Sequence, residues 1–377
     1  MIYFDNASTV PPFKEAIDSF ASVSEKTFGN PNSTHLFGLQ AKRALEEARA
    51  EVLSLLGLSS THQCIFLSGA SEANSMAIKA VGLNYASRGK RIITSAVEHP
   101  SVSEAFKQMG ERFCFEPVFL GVNHNGVVSP SLLEEKMGKD VVLVSFMQVN
   151  NETGAIFPLE EYSSIIKRYP KAFFHVDATQ GIAKVDASYS SCDLISFSSH
   201  KFGGMKGSGA LIYRKNIKFA PLVSGGEQEF GYRGGTVAVP LAVSTALALK
   251  MALAKQKENE RKVASLCAKL ESGLRQIDGV AINSPAHHSP YLCNFSLLHH
   301  KASVITEALS EKGIFVSSVS ACSSKGERVS HVLLAMGKSQ REAANSIRVS
   351  FNANNTEEEV SSFLSALQGL LKEIKTI

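Results

Sequence analysis

The chain has 377 residues, of which 44% are hydrophobic and 20% charged, with a net charge of +4 spread without long runs. That composition excludes a disordered or fibrous chain, and so mild a charge gives no reason to expect nucleic acid or an anionic membrane as a partner. The length points to two or three domains with ample buried core.

The first residues, Met1-Ile2-Tyr3-Phe4-Asp5, lack a basic region followed by an apolar run, so no secretory signal is expected. Residues 41–56 read as an amphipathic helix, with Leu45, Ala48, Val52 and Leu55 on one face and Gly57 to end it. From about 60 to 215 strands and helices alternate. Strands are predicted over 64–67, 91–95, 113–119, 141–148, 172–177, 193–198 and 210–213. Several are continuous apolar runs, as in strands buried on both faces. This is the pattern of a mostly parallel sheet with crossover helices. The most apolar stretch, 237–249, is interrupted by Ser244 and Thr245. It falls short of the ~20 apolar residues of a membrane span, so a buried helix and a cytoplasmic protein are expected. The helical pattern runs on to about 277 as one long helix. Strands over 294–298 and 346–351 follow, with helices between and after them. Thr356 and Glu359 form a capping box for a last helix with an apolar stripe of Val360, Phe363, Leu364, Leu367 and Leu371. The expectation is an α/β fold: a large, mostly parallel sheet domain over 14–255, and a smaller α+β domain built from 1–13 and 256–377.

Six cysteines occur, at 64, 114, 192, 267, 293 and 322, with no C-x-x-C pair. A zinc site or redox dithiol is therefore not expected, and most should be reduced core residues. Cys322 differs, because Ser317–Arg328 is small and polar and reads as an exposed loop. Nearby Lys325 and Arg328 favour a thiolate there.

Ligands of such sheets bind at the carboxyl ends of the strands. Those ends carry Ser68-Gly69-Ala70-Ser71, then Glu98-His99-Pro100, Asn150-Asn151-Glu152, Asp177-Ala178-Thr179-Gln180 and Ser198-Ser199-His200-Lys201. Each alone has a bland reading. Ser71 can be a helix cap, His99 a structural histidine, Asn151 part of a braced loop and Asp177 half of an ion pair. A lysine ending a buried strand is a Schiff-base nucleophile if desolvation lowers its pKa, and a structural lysine otherwise. Together they supply what pyridoxal phosphate demands: a lysine for the aldehyde, an aspartate for the ring nitrogen, a phosphate cradle and a flat group over the ring. No G-x-x-x-x-G-K-[ST] and no strand-linked G-x-G-x-x-G competes with that reading.

The ordered motifs resemble those of NifS/IscS-type cysteine desulfurases, within the class V aminotransferases of pyridoxal phosphate fold type I. They are Phe4-Asp5-Asn6-Ala7, Phe28-Gly29-Asn30-Pro31, Ser68-Gly69-Ala70-Ser71-Glu72, Glu98-His99, Val149-Asn150-Asn151-Glu152, His175-Val176-Asp177-Ala178-Thr179-Gln180, Ser196-Phe197-Ser198-Ser199-His200-Lys201, Arg233-Gly234-Gly235-Thr236, Ser320-Ala321-Cys322-Ser323-Ser324 and Ser346-Ile347-Arg348-Val349-Ser350. The resemblance implies that Lys201 binds the cofactor covalently and Asp177 holds its pyridinium nitrogen. Gln180 would meet the ring hydroxyl, and His99 would stack on the ring and assist proton transfer. Ala70, Ser71, Ser198 and His200 would hold the phosphate, with Ser199 among the cofactor-binding residues. Thr236 would reach the partner subunit's cofactor in a homodimer, and Asn151 and Arg348 would bind the substrate carboxylate. Cys322 would take sulfur from L-cysteine as a persulfide, release alanine, and pass the sulfur to an acceptor such as an iron–sulfur scaffold. No resident metal is implied beyond a transient iron–sulfur contact at Cys322. Phe230 stands where arginine is usual, Phe202–Met205 lacks the common tyrosine and proline, and the chain stops soon after its last helix. These departures bear on the dimer-facing loop and on partner docking. The competing readings are another class V enzyme, such as a selenocysteine lyase or an aminotransferase, and a cofactor-free component of a sulfur-transfer assembly.

Overall fold

The computed structural model describes residues 1–318 and 329–376. A short strand, β1 (Ile2–Tyr3), precedes the main sheet of β2 (His62–Leu67), β3 (Arg91–Ser95), β4 (Glu116–Leu120), β5 (Val141–Met147), β6 (Phe173–Asp177), β7 (Leu194–Ser198) and β8 (Gly209–Arg214). The spatial order is β2-β8-β7-β6-β5-β3-β4. The run β7-β6-β5-β3-β4 is parallel, and β8 lies antiparallel to both its neighbours.

Successive residues of a strand face opposite sides of the sheet, and both sides here are apolar. In β2, Cys64 and Phe66 pack into one core with the helices Leu36–Leu55 and Val239–Ala254, whereas Ile65 and Leu67 pack into another beneath 70–84 and Pro100–Phe113. All seven residues of β5 are buried. That is why its sequence is a continuous apolar run rather than an alternating one.

A third core belongs to β9 (Val280–Ile282), β10 (Leu292–Leu297), β11 (Ile314–Phe315), β12 (Ser317–Ser318) and β13 (Ser346–Ser350). Four of these form an antiparallel sheet in the order β12-β13-β10-β9. The N-terminal segment joins them: β1 pairs with β11, and Asp5 bridges to Ser350. Phe4 is fully buried there, edge-on to Phe351 at 5.2 Å and to Phe363 at 6.0 Å. The last helix, Glu357–Glu373, starts with the expected capping box, Thr356 and Glu359 each bonding the other's backbone.

Two expectations need correction. Residue 113 ends a helix rather than starting a strand, because Cys114 turns left-handed (φ 55°) and its N–H bonds the Met109 carbonyl. The long helix from 237 is two helices, Val239–Ala254 and Gln256–Leu274, broken at Lys255. The first is apolar on every side and lies in the large sheet's core, while the second turns one stripe toward the smaller sheet. The chain must reorient where that pattern changes. In the last helix the expected stripe faces the small-domain core, Val360, Phe363 and Leu367 fully buried with Leu370, and Leu364 and Leu371 packed against them. Among the described residues no helix is long and apolar enough to cross a membrane.

Candidate active site

Strands β2, β3, β5, β6 and β7 run in one direction, so their carboxyl ends share one edge of the sheet. A cavity of about 260 Å³ opens there, lined by Ala70, Ser71, His99, Asn151, Asp177, Gln180, Ser198, His200, Lys201 and Arg348.

Asp177 ends β6 with its carboxylate buried. Asn74 Nδ2 donates to one oxygen at 2.8 Å, and the Thr179 N–H donates to the other at 3.0 Å. The Ser196 hydroxyl donates to Asn74 Oδ1, so His175 Nε2 must donate to Ser196 Oγ (2.9 Å) and Ser145 must donate to His175 Nδ1 (2.7 Å). Burial keeps His175 neutral for this task, its pKa pushed down to about 4. Two donors leave the carboxylate with acceptor capacity to spare.

His99 caps the helix Pro100–Phe113, accepting at Nδ1 from the Ser101 N–H at 3.1 Å. The Ser101 hydroxyl lies 2.8 Å from the same nitrogen and itself accepts from Asn74 Nδ2 at 2.9 Å. The neutral ring therefore carries its proton on Nε2. Desolvation lowers the pKa of His99, with Asp177 opposing and Lys201 reinforcing the shift. Asn74 thus ties His99 and Asp177 together.

Lys201 closes the one-turn 3₁₀ helix after β7, and its Nζ donates to the carbonyls of Ala7 (2.6 Å) and Ser8 (2.8 Å). Burial, then the nearby Arg348 charge, brings its pKa down to about 8, against the opposing pull of Asp5 and Asp177. Gln180 Nε2 donates to the Ala7 carbonyl at 2.8 Å, and its Oε1 accepts from Lys184 at 3.2 Å. Lys184 is buried, which pulls its pKa to about 7, with Lys201 and Arg348 adding to the effect.

At the other end of the cavity the Ala70 N–H donates to Ser198 Oγ at 2.7 Å. A Cβ on Gly209 would lie 2.7 Å from Gly69 Cα and 2.3 Å from the Phe197 carbonyl oxygen. Only glycine lets this turn lie so close to the sheet. His200 is held neutral, its pKa pushed down to about 4 by burial and then by Lys201 and Lys206. Arg348 Nη1 donates to the Asn151 carbonyl at 2.8 Å, and Nη2 donates to Asp5 Oδ1 at 2.8 Å and Ser8 Oγ at 2.9 Å. Asn151 thus contributes its backbone to Arg348 rather than its amide. Glu98, buried beneath His99, accepts from the Ser95 hydroxyl at 2.6 Å and the Met147 N–H at 3.2 Å, and burial pushes its pKa up to about 8.

Two predicted residues lie elsewhere. Ser199 is buried off the cavity and spends its hydroxyl on the Met205 carbonyl at 2.6 Å, with the Ser208 carbonyl at 3.0 Å. It shapes the lysine turn and is not among the cavity's lining residues. Thr236 is exposed in a separate depression beside Glu229 and Arg233. Cys322 lies outside the described residues. Phe230 has φ 59° and stacks on Arg49 at 4.7 Å, above a buried Arg49–Glu229 pair at 2.8 Å. Sequence reasoning gave no role to Asn74, Lys184 and Asp5. The one available signal was spacing: Asn74 follows Ala70, and Lys184 follows Gln180, by four residues.

The residues suit pyridoxal phosphate. Among the described residues, Thr179 Oγ1 and Arg348 Nε are buried donors without a hydrogen-bond partner, and both residues line the cavity. A buried carboxylate, a depressed lysine and a glycine-lined turn stand around the same space. A model of the family described as aminotransferase class-V matches residues 2–363.

The chain belongs to the class-V aminotransferase family.

It is 37% identical over 380 residues to cysteine desulfurase IscS of Dictyoglomus turgidum, covering 100% of this chain and 96% of that one. It is 36% identical over 382 residues to a NifS/IcsS protein homolog of Lactobacillus delbrueckii subsp. bulgaricus, covering 100% and 99%. A solved structure described as a NifS-like protein matches with a TM-score of 0.92 at 35% identity, over 99% of this chain and 100% of that one. This family member therefore falls among the NifS/IscS cysteine desulfurases, which are pyridoxal phosphate enzymes and generally dimers. The expected α/β fold type I stands with it.

Proposed function

We propose that this class-V family member removes sulfur from L-cysteine, with pyridoxal phosphate held on Lys201 and the sulfur received on Cys322. The observation that carries the reading is the pairing of a desolvated Lys201 with a buried, doubly hydrogen-bonded Asp177 on the walls of one cavity. Bound there, the cofactor supplies an electron sink for negative charge at the substrate α-carbon.

The chain's own groups do the rest. Asp177, braced by Asn74 and Thr179, keeps a proton on the ring nitrogen by electrostatic attraction. Gln180, its amide orientation fixed by Lys184, offers Nε2 to the ring hydroxyl. Ala70, Ser71, Ser198 and neutral His200 cradle the phosphate. His99 covers the ring and presents a protonated Nε2 for proton transfer, its Nδ1 lone pair held by the Ser101 N–H. Arg348, its charge shared with Asp5, presents Nε to the substrate carboxylate beside Asn151. Lys201, desolvated in the cavity, would take and return a proton at the substrate once the substrate displaces it from the cofactor. The Cys322 thiolate attacks the substrate sulfur, and the carbon–sulfur bond breaks. A persulfide remains on the protein, and alanine leaves once the α-carbon recovers the proton it gave up and the β-carbon gains one in place of sulfur. Thr236, exposed and away from its own cavity, serves the partner subunit's phosphate in a homodimer. The chain divides into a cofactor-binding unit over 14–255 and a smaller unit of 1–13 and 256–377 that carries Cys322. A sulfur-acceptor protein and a cytoplasmic setting complete the reading.

Borohydride reduction of the purified protein followed by peptide mapping tests the cofactor assignment. The reduced pyridoxyl group is expected on the Lys201 peptide. A colourless protein, or a label on another lysine, overturns it.

A further inference from the structure

Arg348, in β13, reaches the cavity wall with most of its donors already spent. Nη1 donates to the Asn151 carbonyl, and Nη2 donates to both Asp5 Oδ1 at 2.8 Å and Ser8 Oγ at 2.9 Å. The Ser8 hydroxyl in turn donates to the same Asp5 oxygen at 2.8 Å, which closes a triangle. Nε differs: it is buried and, among the described residues, has no hydrogen-bond partner. A buried N–H without an acceptor is costly, the more so on a charged group. Asp5 does not relieve it, since its carboxylate bonds Nη2 and not Nε.

A carboxylate grips a guanidinium with both oxygens in two ways, side-on through Nε and Nη2 or end-on through Nη1 and Nη2. Nη2 belongs to both. Its two N–H groups go to Asp5 and Ser8, so no incoming carboxylate is held by both oxygens while both residues stay. The side-on grip is the one that also gives Nε its missing acceptor.

We propose that Asp5 is a resident carboxylate that holds Arg348 before substrate arrives and yields Nη2 to the carboxylate of an incoming α-amino acid. The inference deepens the desulfuration reading and rests on its assignment of Arg348 to the substrate carboxylate. Three features support the exchange. Like replaces like, so the arginine is never left buried without a counter-charge. The Asp5 side chain is 24% exposed, against 14% for Arg348, so the displaced carboxylate passes into water rather than into the core. Ser8 bonds Asp5 as well as Arg348 and leaves with it, the two joined in one turn by the Ser8 N–H on the Asp5 carbonyl at 3.1 Å.

The exchange reaches Lys201, whose Nζ donates to the Ala7 and Ser8 carbonyls of that same turn. The Arg348 charge opposes protonation of Lys201, and the Asp5 charge favours it. A carboxylate that neutralises Arg348 and frees Asp5 therefore makes the lysine a stronger base once substrate is seated. Selectivity follows as well, because an amine without a carboxylate gains nothing from Arg348 and leaves Asp5 in place. Asp5 is thus a positioning residue that acts through Arg348.

Absorbance titration of the holoenzyme, read at the cofactor band, tests the exchange with two probes. L-Alanine carries the carboxylate and no sulfur to lose, whereas cysteamine carries the thiol and amine without the carboxylate. Asp5→Asn and Asp5→Ala should each lower the L-alanine dissociation constant about three- to tenfold, between the worth of an exposed ion pair and that of a buried charged hydrogen bond, and move the cysteamine constant by less than about twofold. In an Arg348→Gln background the same substitutions should change L-alanine binding by less than about twofold. A carboxylate that merely orients Arg348 predicts the opposite sign, with L-alanine bound more weakly, most of all by Asp5→Ala. Weaker or unchanged L-alanine binding in either variant, or an equal gain for cysteamine, would overturn the proposal. Asp5→Asn keeps the shape of the side chain and carries the test if Asp5→Ala folds poorly. Wild-type protein whose cofactor band responds to no amino acid would instead overturn the desulfuration reading, and this inference with it.

Discussion

The reactivity of Lys201 offers a quantitative handle on the site. Burial, followed by the Arg348 charge, lowers its pKa from an ordinary 10.5 to about 8. At pH 7.5 the neutral fraction then rises from ~0.001 to ~0.24, about 240-fold, and the difference corresponds to ~3.4 kcal/mol. Cofactor-free protein labelled with an acylating reagent, with Lys201 followed by peptide mass spectrometry, should show half-maximal reactivity near pH 8. Arg348→Gln removes a repelling charge and should move that midpoint up, whereas Asp5→Asn removes an attracting one and should move it down. The same shift governs stability. Below the folded pKa the lysine is charged in both states and its burial cost is fully present. Between about pH 8 and 10.5 the unfolded chain holds the proton and the folded chain does not. Stability of the cofactor-free protein should therefore rise through that window by up to ~3 kcal/mol, and Lys201→Met should abolish the rise. A wild-type midpoint above pH 10, or one indifferent to Arg348, would refute the reasoning.

Asn74→Ala removes the 2.8 Å bond to the Asp177 carboxylate and the link to His99 through Ser101. A hydrogen bond to a charged group is worth ~1.5–3 kcal/mol, so turnover should fall by about ten- to 150-fold while Lys201 still binds the cofactor; a loss under twofold would remove Asn74 from the account. Gly209→Ala places a Cβ against Gly69 and the Phe197 carbonyl, so titration should show weakened cofactor binding with the fold intact by circular dichroism. Glu229→Gln strands the Arg49 guanidinium, 4% exposed, and urea unfolding should show a loss of ~3–5 kcal/mol.

Much of the fold could be read from local chemistry, because double-sided burial writes itself as apolar runs such as 141–147 and capping writes itself as Thr356 with Glu359. The errors fell where tertiary context decides. Nothing local says that Cys114 turns left-handed, or that the chain breaks at Lys255 to pass from one core to another. The site was legible to the extent that its groups end strands: Asp177, Lys201, His99 and the Gly69 turn. Asn74 and Lys184 escaped notice because they act through other side chains, Asn74 on Asp177 and Lys184 on Gln180. Ser199 shows the opposite error, a hydroxyl in the right motif whose bonds go to its own turn.

The central claim is that Lys201 and Cys322 act in sequence on one substrate. Intact-mass and peptide spectra of the holoenzyme after brief incubation with L-cysteine test it most directly. The account predicts one added sulfur atom on the Cys322 peptide, released by a thiol reductant, alongside alanine, and neither product in Lys201→Ala. Sustained alanine production with no sulfur on Cys322, or turnover undiminished in Cys322→Ser, would contradict it.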